Sequence, residues 1–393
     1  MLKKRILPLF LILTVLLGLW ACQKAPSQES TEHKIAVVVY DLQDEQVQAF
    51  REYLEGYIAL SFPDVSFLYS SAITSKDAEM EFLTSAISQG AEGVLSFNSY
   101  DLEAEVKLCQ ESGVYYIRPS STVAKEDFDK VKDNPCFLGY FGPGEKEEYQ
   151  AGYDMAAWFA EKAFSDSYFV VTGGAGTGNV MHIERTQGIL DALQERYGIT
   201  FPQDTAILAA SQEETTVEAG SVKVTLFPGY VGMPAVGDQA VSAYEASHAG
   251  VVLGVIPLRA IADGLGDAKL GLIDCYTAAN GELFKEGKLC YLTGKYESII
   301  APAFAALYNA IGGYADSFRD NGQAFALNQG FWTSKSYGDF LDKYALSSGI
   351  ALNAYSVEDI LGVCKAYNEN AGFADLKALA EGWDFDSAAQ RRK

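Results

Sequence analysis

The side chains best placed to do chemistry follow directly on short apolar runs. Tyr40 and Asp41 follow IAVVV, and Asn98, Ser99 and Tyr100 follow GVLSF. Arg118, Ser120 and Ser121 follow VYYI, and Asp274 and Tyr276 follow LGLI. A carboxylate accepts from hydroxyls, an asparagine amide both donates and accepts, and an arginine donates as a planar fork. An aromatic face covers the apolar side of a sugar ring or stacks on a base. This set suits the holding of a small polar molecule. Asn179 and His182 close a glycine-rich turn, Gly173 to Gly178, that lets backbone approach a ligand. The turn is not G-x-G-x-x-G and no Lys-Ser/Thr pair follows, so a phosphate loop is absent.

Each candidate also has a plainer reading. Asp274 could cap the next helix, Arg118 could form a hinge salt bridge, and Asn98 could be a turn residue. Tyr100 could be core, Asn179 a cap, and His182 part of a solvated face. Constellations for catalysis are missing. The three histidines, His33, His182 and His248, lie far apart, and there is no H-E-x-x-H, G-x-S-x-G or zinc spacing. Asp316, Asp320 and Asn321 lack calcium-loop spacing. The chain is therefore not expected to be an enzyme, and no cofactor or metal is expected.

These residues need strands to present them. IAVVVY (Ile35–Tyr40), Val65–Tyr69, Gly93–Phe97 and Val114–Ile117 read as buried strands, alternating with helical patterns over 43–60, 76–89 and 102–111. Such alternation implies a doubly wound parallel sheet, with ligands beyond the carboxyl ends of its strands. A second series begins at Cys136–Phe141 and continues through strands at Tyr168–Thr172, Val222–Phe227, Gly250–Val255, Leu270–Ile273 and Leu289–Leu292. A long helix is expected over Ala301–Arg319, and 205–236 reads as loop-rich. The fold class is thus α/β, with two parallel-sheet lobes joined by a hinge. Residues 35–120 form the first part of lobe 1 and 121–273 are mainly lobe 2. Residues 274–345 return between the lobes, and 346–393 are a C-terminal appendage.

Composition sets the outer limits. The chain has 393 residues and a formal net charge of −22, which argues against nucleic acid as a partner. Lys3, Lys4 and Arg5 precede an apolar run, Ile6–Leu19, that is short for a spanning helix. The run ends in Leu19-Trp20-Ala21-Cys22, which resembles a bacterial lipoprotein signal. Residues 1–21 are then a leader, Cys22 the lipidated residue, and 22–34 a polar tether. No later segment is expected to cross a bilayer. Cys109, Cys136, Cys275, Cys290 and Cys364 are widely spaced and read as small core residues, not a disulfide framework.

Phe169–Leu193, FVVTGGAGTGNVMHIERTQGILDAL, resembles the second lobe of type I periplasmic binding proteins. The shared pattern is a strand, a glycine-rich turn, then a helix with Arg185 and Gly188-Ile189. Gly271–Asp274 resembles the family strand that ends in a ligand-contacting aspartate. Val94–Ile117 resembles the third strand, helix and fourth strand of the first lobe. The similarity spans residues 35–345. Arg118-Pro119-Ser120-Ser121 stands where sugar binders often carry Asp-Arg, and Gly254-Val255-Ile256-Pro257 where they carry Asn-Asp. Tyr40-Asp41-Leu42-Gln43-Asp44 replaces the Asp-Lys-Ser-Phe-Asn-like run of nucleoside-binding lipoproteins. The resemblance implies an exported lipoprotein on the outer face of the cytoplasmic membrane. It would bind a simple sugar, or alternatively a nucleoside, as a monomer, and deliver it to an ABC permease. The other role open to such a protein is a sensory receptor signalling to a membrane kinase.

Overall fold

The computed structural model describes residues 32–348 and 353–392, so the Cys22 expectation lies outside the described residues. The first sheet contains β1 (His33–Val38), β2 (Val65–Tyr69), β3 (Ala91–Ser96), β4 (Tyr115–Arg118), β5 (Phe137–Gly142) and β12 (Phe325–Asn328). Its order is β12-β5-β4-β3-β1-β2, parallel throughout. Between these strands run α1 (Glu45–Tyr53), α2 (Lys76–Ser88), α3 (Leu102–Ser112) and α4 (Lys125–Val131). Asp44, Ser75 and Asp101 cap the first three, each accepting backbone N–H groups that the helix cannot satisfy itself.

The second sheet has the order β13-β11-β10-β9-β6-β8-β7. Its strands are β6 (Ser167–Gly173), β7 (Thr215–Ala219), β8 (Val222–Pro228), β9 (Val251–Gly254), β10 (Lys269–Cys275), β11 (Leu289–Lys295) and β13 (Trp332–Ser334). The interior strands are parallel, and the two edges, β7 and β13, are antiparallel to their neighbours. On one face, α5 (Glu145–Lys162) and α6 (Val180–Tyr197) lie almost in backbone contact. A Cβ on Gly188 would stand 2.1 Å from the Tyr149 carbonyl oxygen, and one on Gly152 1.9 Å from that of Arg185. The Gly188-Ile189 pair thus has a packing cause: only glycine allows this approach.

Three differences from the sequence reading bear on the site. First, β5, read as opening the second series, belongs to the first sheet. It pairs with β4 on one side and β12 on the other, and Gly139 (φ +136°) leaves room for the Phe325 backbone. Second, 205–236 is more regular than expected. It holds a short helix, α7 (Thr205–Ala209), and the β7–β8 hairpin, which turns at Gly220 (φ +59°) before α8 (Pro234–Ser247). Third, the helix expected over Ala301–Arg319 is α10 (Ala301–Asn309), followed by a wider turn broken at Gly313 (φ +87°). The whole stretch Glu297–Phe318 is long and apolar enough to cross a membrane, contrary to expectation. It is instead the central core element of lobe 1, packed beneath β3, β4 and β5.

After β13 come α11 (Tyr337–Ser348), α12 (Val357–Gly362), α13 (Phe373–Glu381) and α14 (Phe385–Arg391). The helices α12 and α13 pack on α10, whereas α14 packs on α11. The C-terminal residues therefore lie on both lobes. Among the described residues the five cysteines are free, and Cys109, Cys275 and Cys364 are buried.

Candidate ligand-binding cleft

The chain passes between the sheets at residues 143–144, 296–300 and 329–331. The carboxyl ends of both sets of parallel strands point toward this junction, and the side chains read as candidates cluster there.

Lobe 1 supplies one wall. Tyr40 is 38% exposed and its hydroxyl donates to the Asp44 carboxylate at 2.7 Å. Burial, with Asp44 next, holds the phenol well above its ordinary pKa, and Cys275 and Asp274 of lobe 2 add to this from across the gap. Asp41 is exposed and accepts from the Gln43 N–H. Farther along, Tyr100 is 50% exposed. Its loop is held from below by two buried carboxyls. Glu79 accepts from the Tyr100 N–H at 2.8 Å and from Asn98 at 3.5 Å, and Glu105 accepts from Ser99, the Asp101 N–H and the Tyr116 hydroxyl. Burial first, then the Glu105 charge, raises the Glu79 pKa far above the usual carboxylate range.

Lobe 2 supplies the facing wall. Asp274 is half-buried, and burial lifts its pKa from 3.8 to about 7, opposed by the 2.7 Å hydrogen bond from Asn280 and reinforced by Asp44 across the cleft. It does not cap the next helix: the cap of α9 (Ala278–Lys285) is Thr277. Asn179 caps α6 and also bonds Tyr230. His182 is buried, not on a solvated face; its Nδ1 accepts from the Gly174 N–H at 2.8 Å, which puts the ring proton on Nε2. Burial, then Arg185 and Lys295, lowers its pKa to about 3, so it is a neutral donor. Tyr230, 46% exposed, stands opposite Tyr100; burial raises its pKa, and Tyr100 contributes from the other lobe.

The floor lies at the hinge. Lys295 ends β11, is buried, and donates from Nζ to the Ser120 carbonyl of lobe 1 at 2.7 Å. Burial lowers its pKa to about 8, with Glu148 opposing and Arg185 and Arg118 assisting. Ser120 adopts a left-handed backbone (φ +47°), uncommon for a side chain with a Cβ, and its buried Oγ has no partner. Glu148 joins the lobes a second time: it accepts from Thr122 of lobe 1 at 2.8 Å and from the Arg185 Nε at 2.6 Å. Arg185 also donates to the Val255 carbonyl at 2.8 Å. Arg118 is buried with an unpartnered Nε and borders a cavity of about 230 Å³ that Ser99, Tyr100 and Thr122 also line.

No family model matches this chain, nor does any curated protein sequence. Solved structures do. An ABC transporter solute-binding protein from Bacillus halodurans with bound myo-inositol aligns over 81% of this chain and 99% of its own, at TM-score 0.57 and 16% identity. The fold is that of type I periplasmic binding proteins. The arabinose-transporter component from Shewanella sp. ANA-3, bound to L-arabinofuranose, aligns over 79% of this chain and 94% of its own (TM-score 0.57, 13% identity). A putative LacI transcriptional regulator from Bacteroides fragilis aligns over 77% and 96% (TM-score 0.53, 14% identity). One periplasmic-binding-protein fold thus appears in both transport and regulation, and the site has to argue the function.

Within this type I fold the candidates divide. Tyr40, Asp41, Asn98, Tyr100, Arg118, Ser120, Asn179, His182 and Asp274 lie around the interlobe junction. Tyr276 does not. It is 1% exposed, stacks on Phe340 and bonds Ser334: it lies just past the end of β10, and its ring is buried in the core beside α11. Lys295, Glu148, Asp44 and Tyr230 escaped the sequence reading. Lys295 was findable by the same strand-end rule, since β11 runs three residues past the LCYL core. Tyr230 sits in the stretch read as loop. Among the described residues, no group of three His, Cys, Asp or Glu could hold a metal ion.

Proposed function

We propose that this protein is an exported, lipid-anchored solute-binding protein that closes its two lobes on a simple sugar and delivers it to an ABC importer. The observation carrying this reading is the pairing of polar and aromatic side chains across the cleft: Tyr40 and Asp44 against Asp274, and Tyr100 against Tyr230, over a hinge crossed three times. Carboxylates on both walls accept from ring hydroxyls, and tyrosine faces cover the apolar side of a pyranose or furanose. The structural neighbours named above, which hold inositol and arabinofuranose, point the same way. Closure is driven by contacts that exist only when both walls touch the ligand. Lipid at Cys22, followed by the 22–34 tether, would keep the cleft at the outer membrane face, where a permease can receive the ligand. The tyrosine pair also suits a nucleobase, so nucleosides belong in the trial.

Titration calorimetry against pentoses, hexoses, inositol and nucleosides tests the reading. One compound should bind with micromolar or better affinity, and small-angle scattering should show a smaller radius of gyration in its presence. A binder that leaves the radius unchanged refutes the clamp.

A further inference from the structure

The hinge end of the cleft is rich in donors and positive charge. Arg118, Arg185 and Lys295 meet there, all buried. Burial weakens the hold of Lys295 on its proton, Glu148 opposes this, and Arg185 and Arg118 add to it, so the three cations act on one another through Lys295. The carboxylate set among these three cations is that of Glu148. Glu148 is already committed to Arg185 and Thr122. Among the described residues the Lys295 ammonium, with three N–H groups, donates to one acceptor, the neutral Ser120 carbonyl. Arg118 Nε and Ser120 Oγ are buried with none. The His182 tautomer adds Nε2–H as a further donor. Buried donors without acceptors are costly, and a buried cation without a counter-charge more so. The far end of the cleft has the opposite character, with the carboxyls of Asp44 and Asp274 as acceptors, each raised first by burial, and Asp44 acting on Asp274 across the gap.

A neutral sugar satisfies the acceptors at one end and brings no charge to the buried cations and unpartnered donors at the other. We infer that the ligand is a monoanionic polyol, of the sugar-acid class, whose carboxylate seats at the Arg118–Ser120–Lys295 end while its hydroxyls meet Asp44 and Asp274. This rests on the sugar-binding reading above and narrows it. One carboxylate brings a negative charge to the buried cations, and its two oxygens offer acceptor sites for the unpartnered donors. The acidic end argues against a ligand charged negatively along its whole length.

The test is calorimetry of the wild-type protein with matched pairs: glucuronate against glucose, galacturonate against galactose, and gluconate against glucitol. At least one acid should bind ten-fold or more tighter than its neutral partner. Lys295→Met should remove most of that preference, so that acid and neutral partner then bind within about three-fold of each other. A neutral sugar that binds as tightly as its acid overturns the carboxylate and leaves the sugar clamp standing. Failure of every acid and every neutral sugar overturns both. Should Lys295→Met fail to fold, the wild-type comparison still decides.

Discussion

Replacing Asp274 with asparagine should stabilise the protein at alkaline pH while weakening ligand binding. The substitution keeps the shape and an oxygen that accepts from Asn280, now at 2.7 Å from the carboxylate, and removes only the charge. In the folded protein Asp274 titrates near 7; unfolded, it returns to about 3.9. Between these values the folded state holds a proton that the unfolded state has lost. Stability therefore falls as pH rises from about 4 to about 7 and stays low above. At about 1.4 kcal/mol per pH unit the interval sets an upper limit of about 4 kcal/mol. Asp274 is only half-buried, so solvent screening brings the expected gain to roughly 2 kcal/mol. Urea unfolding of both proteins at pH 4 and pH 8 reads this directly, and comparison with the variant cancels all other titrating groups. The two should agree within about 0.5 kcal/mol at pH 4 and separate by roughly 2 kcal/mol at pH 8, the variant being the more stable. Affinity for the ligand should fall ten-fold or more at pH 8. A variant less stable than wild type at pH 8, or a difference that ignores pH, would refute the assignment of a strained charge to this wall.

Arg185→Met strands Glu148 in the core and should cost about 3–5 kcal/mol in urea unfolding; adding Glu148→Gln should recover part of that, and simple additivity would show that the pair is not coupled. Gly142 sits at φ +152° beside the hinge, where a Cβ would come 2.3 Å from the Ser121 carbonyl oxygen, so Gly142→Ala should lower the melting temperature by several degrees through a loss of about 1–3 kcal/mol. Cys22→Ser should release the protein from membranes; a full-length variant that still sediments with membrane would sink the lipoprotein reading.

The βα alternation of lobe 1 was legible because buried parallel strands read as apolar runs, and Val65–Tyr69 matches β2 end to end. Sheet membership was not legible. Nothing local to Cys136–Phe141 says that its partner is Phe325–Asn328, nearly half a chain away. The strand-end rule located Asp274 and Arg118, which do lie at the cleft. It failed at Tyr276, which has left β10, so the strand no longer fixes where its side chain points, and the ring packs on Phe340. Lys295 was hidden by stopping β11 at its apolar part, although a lysine continuing such a strand is itself a signal. Nothing in the helical patterns over 76–89 and 102–111 marks the two buried glutamates beneath Tyr100; only packing of α2 against α3 brings Glu79 to Glu105.

The C-terminal residues cross the outside of the hinge, and Trp383 is where they are fastened. Its carbonyl accepts from the Tyr296 hydroxyl at 2.7 Å and from the Trp332 indole at 2.9 Å, while its ring fills the space over Gly330. Tyr296 and Trp332 stack at 3.7 Å, so two of the three crossing strands are riveted to each other and to the tail. Both sheets, moreover, are finished by strands that leave the ribosome late, β12 and β13, and the rivet comes later still. Neither half of the molecule can complete itself from the residues made first. Such a sequence folds slowly and from long-range contacts, and until those contacts form each sheet keeps an open edge.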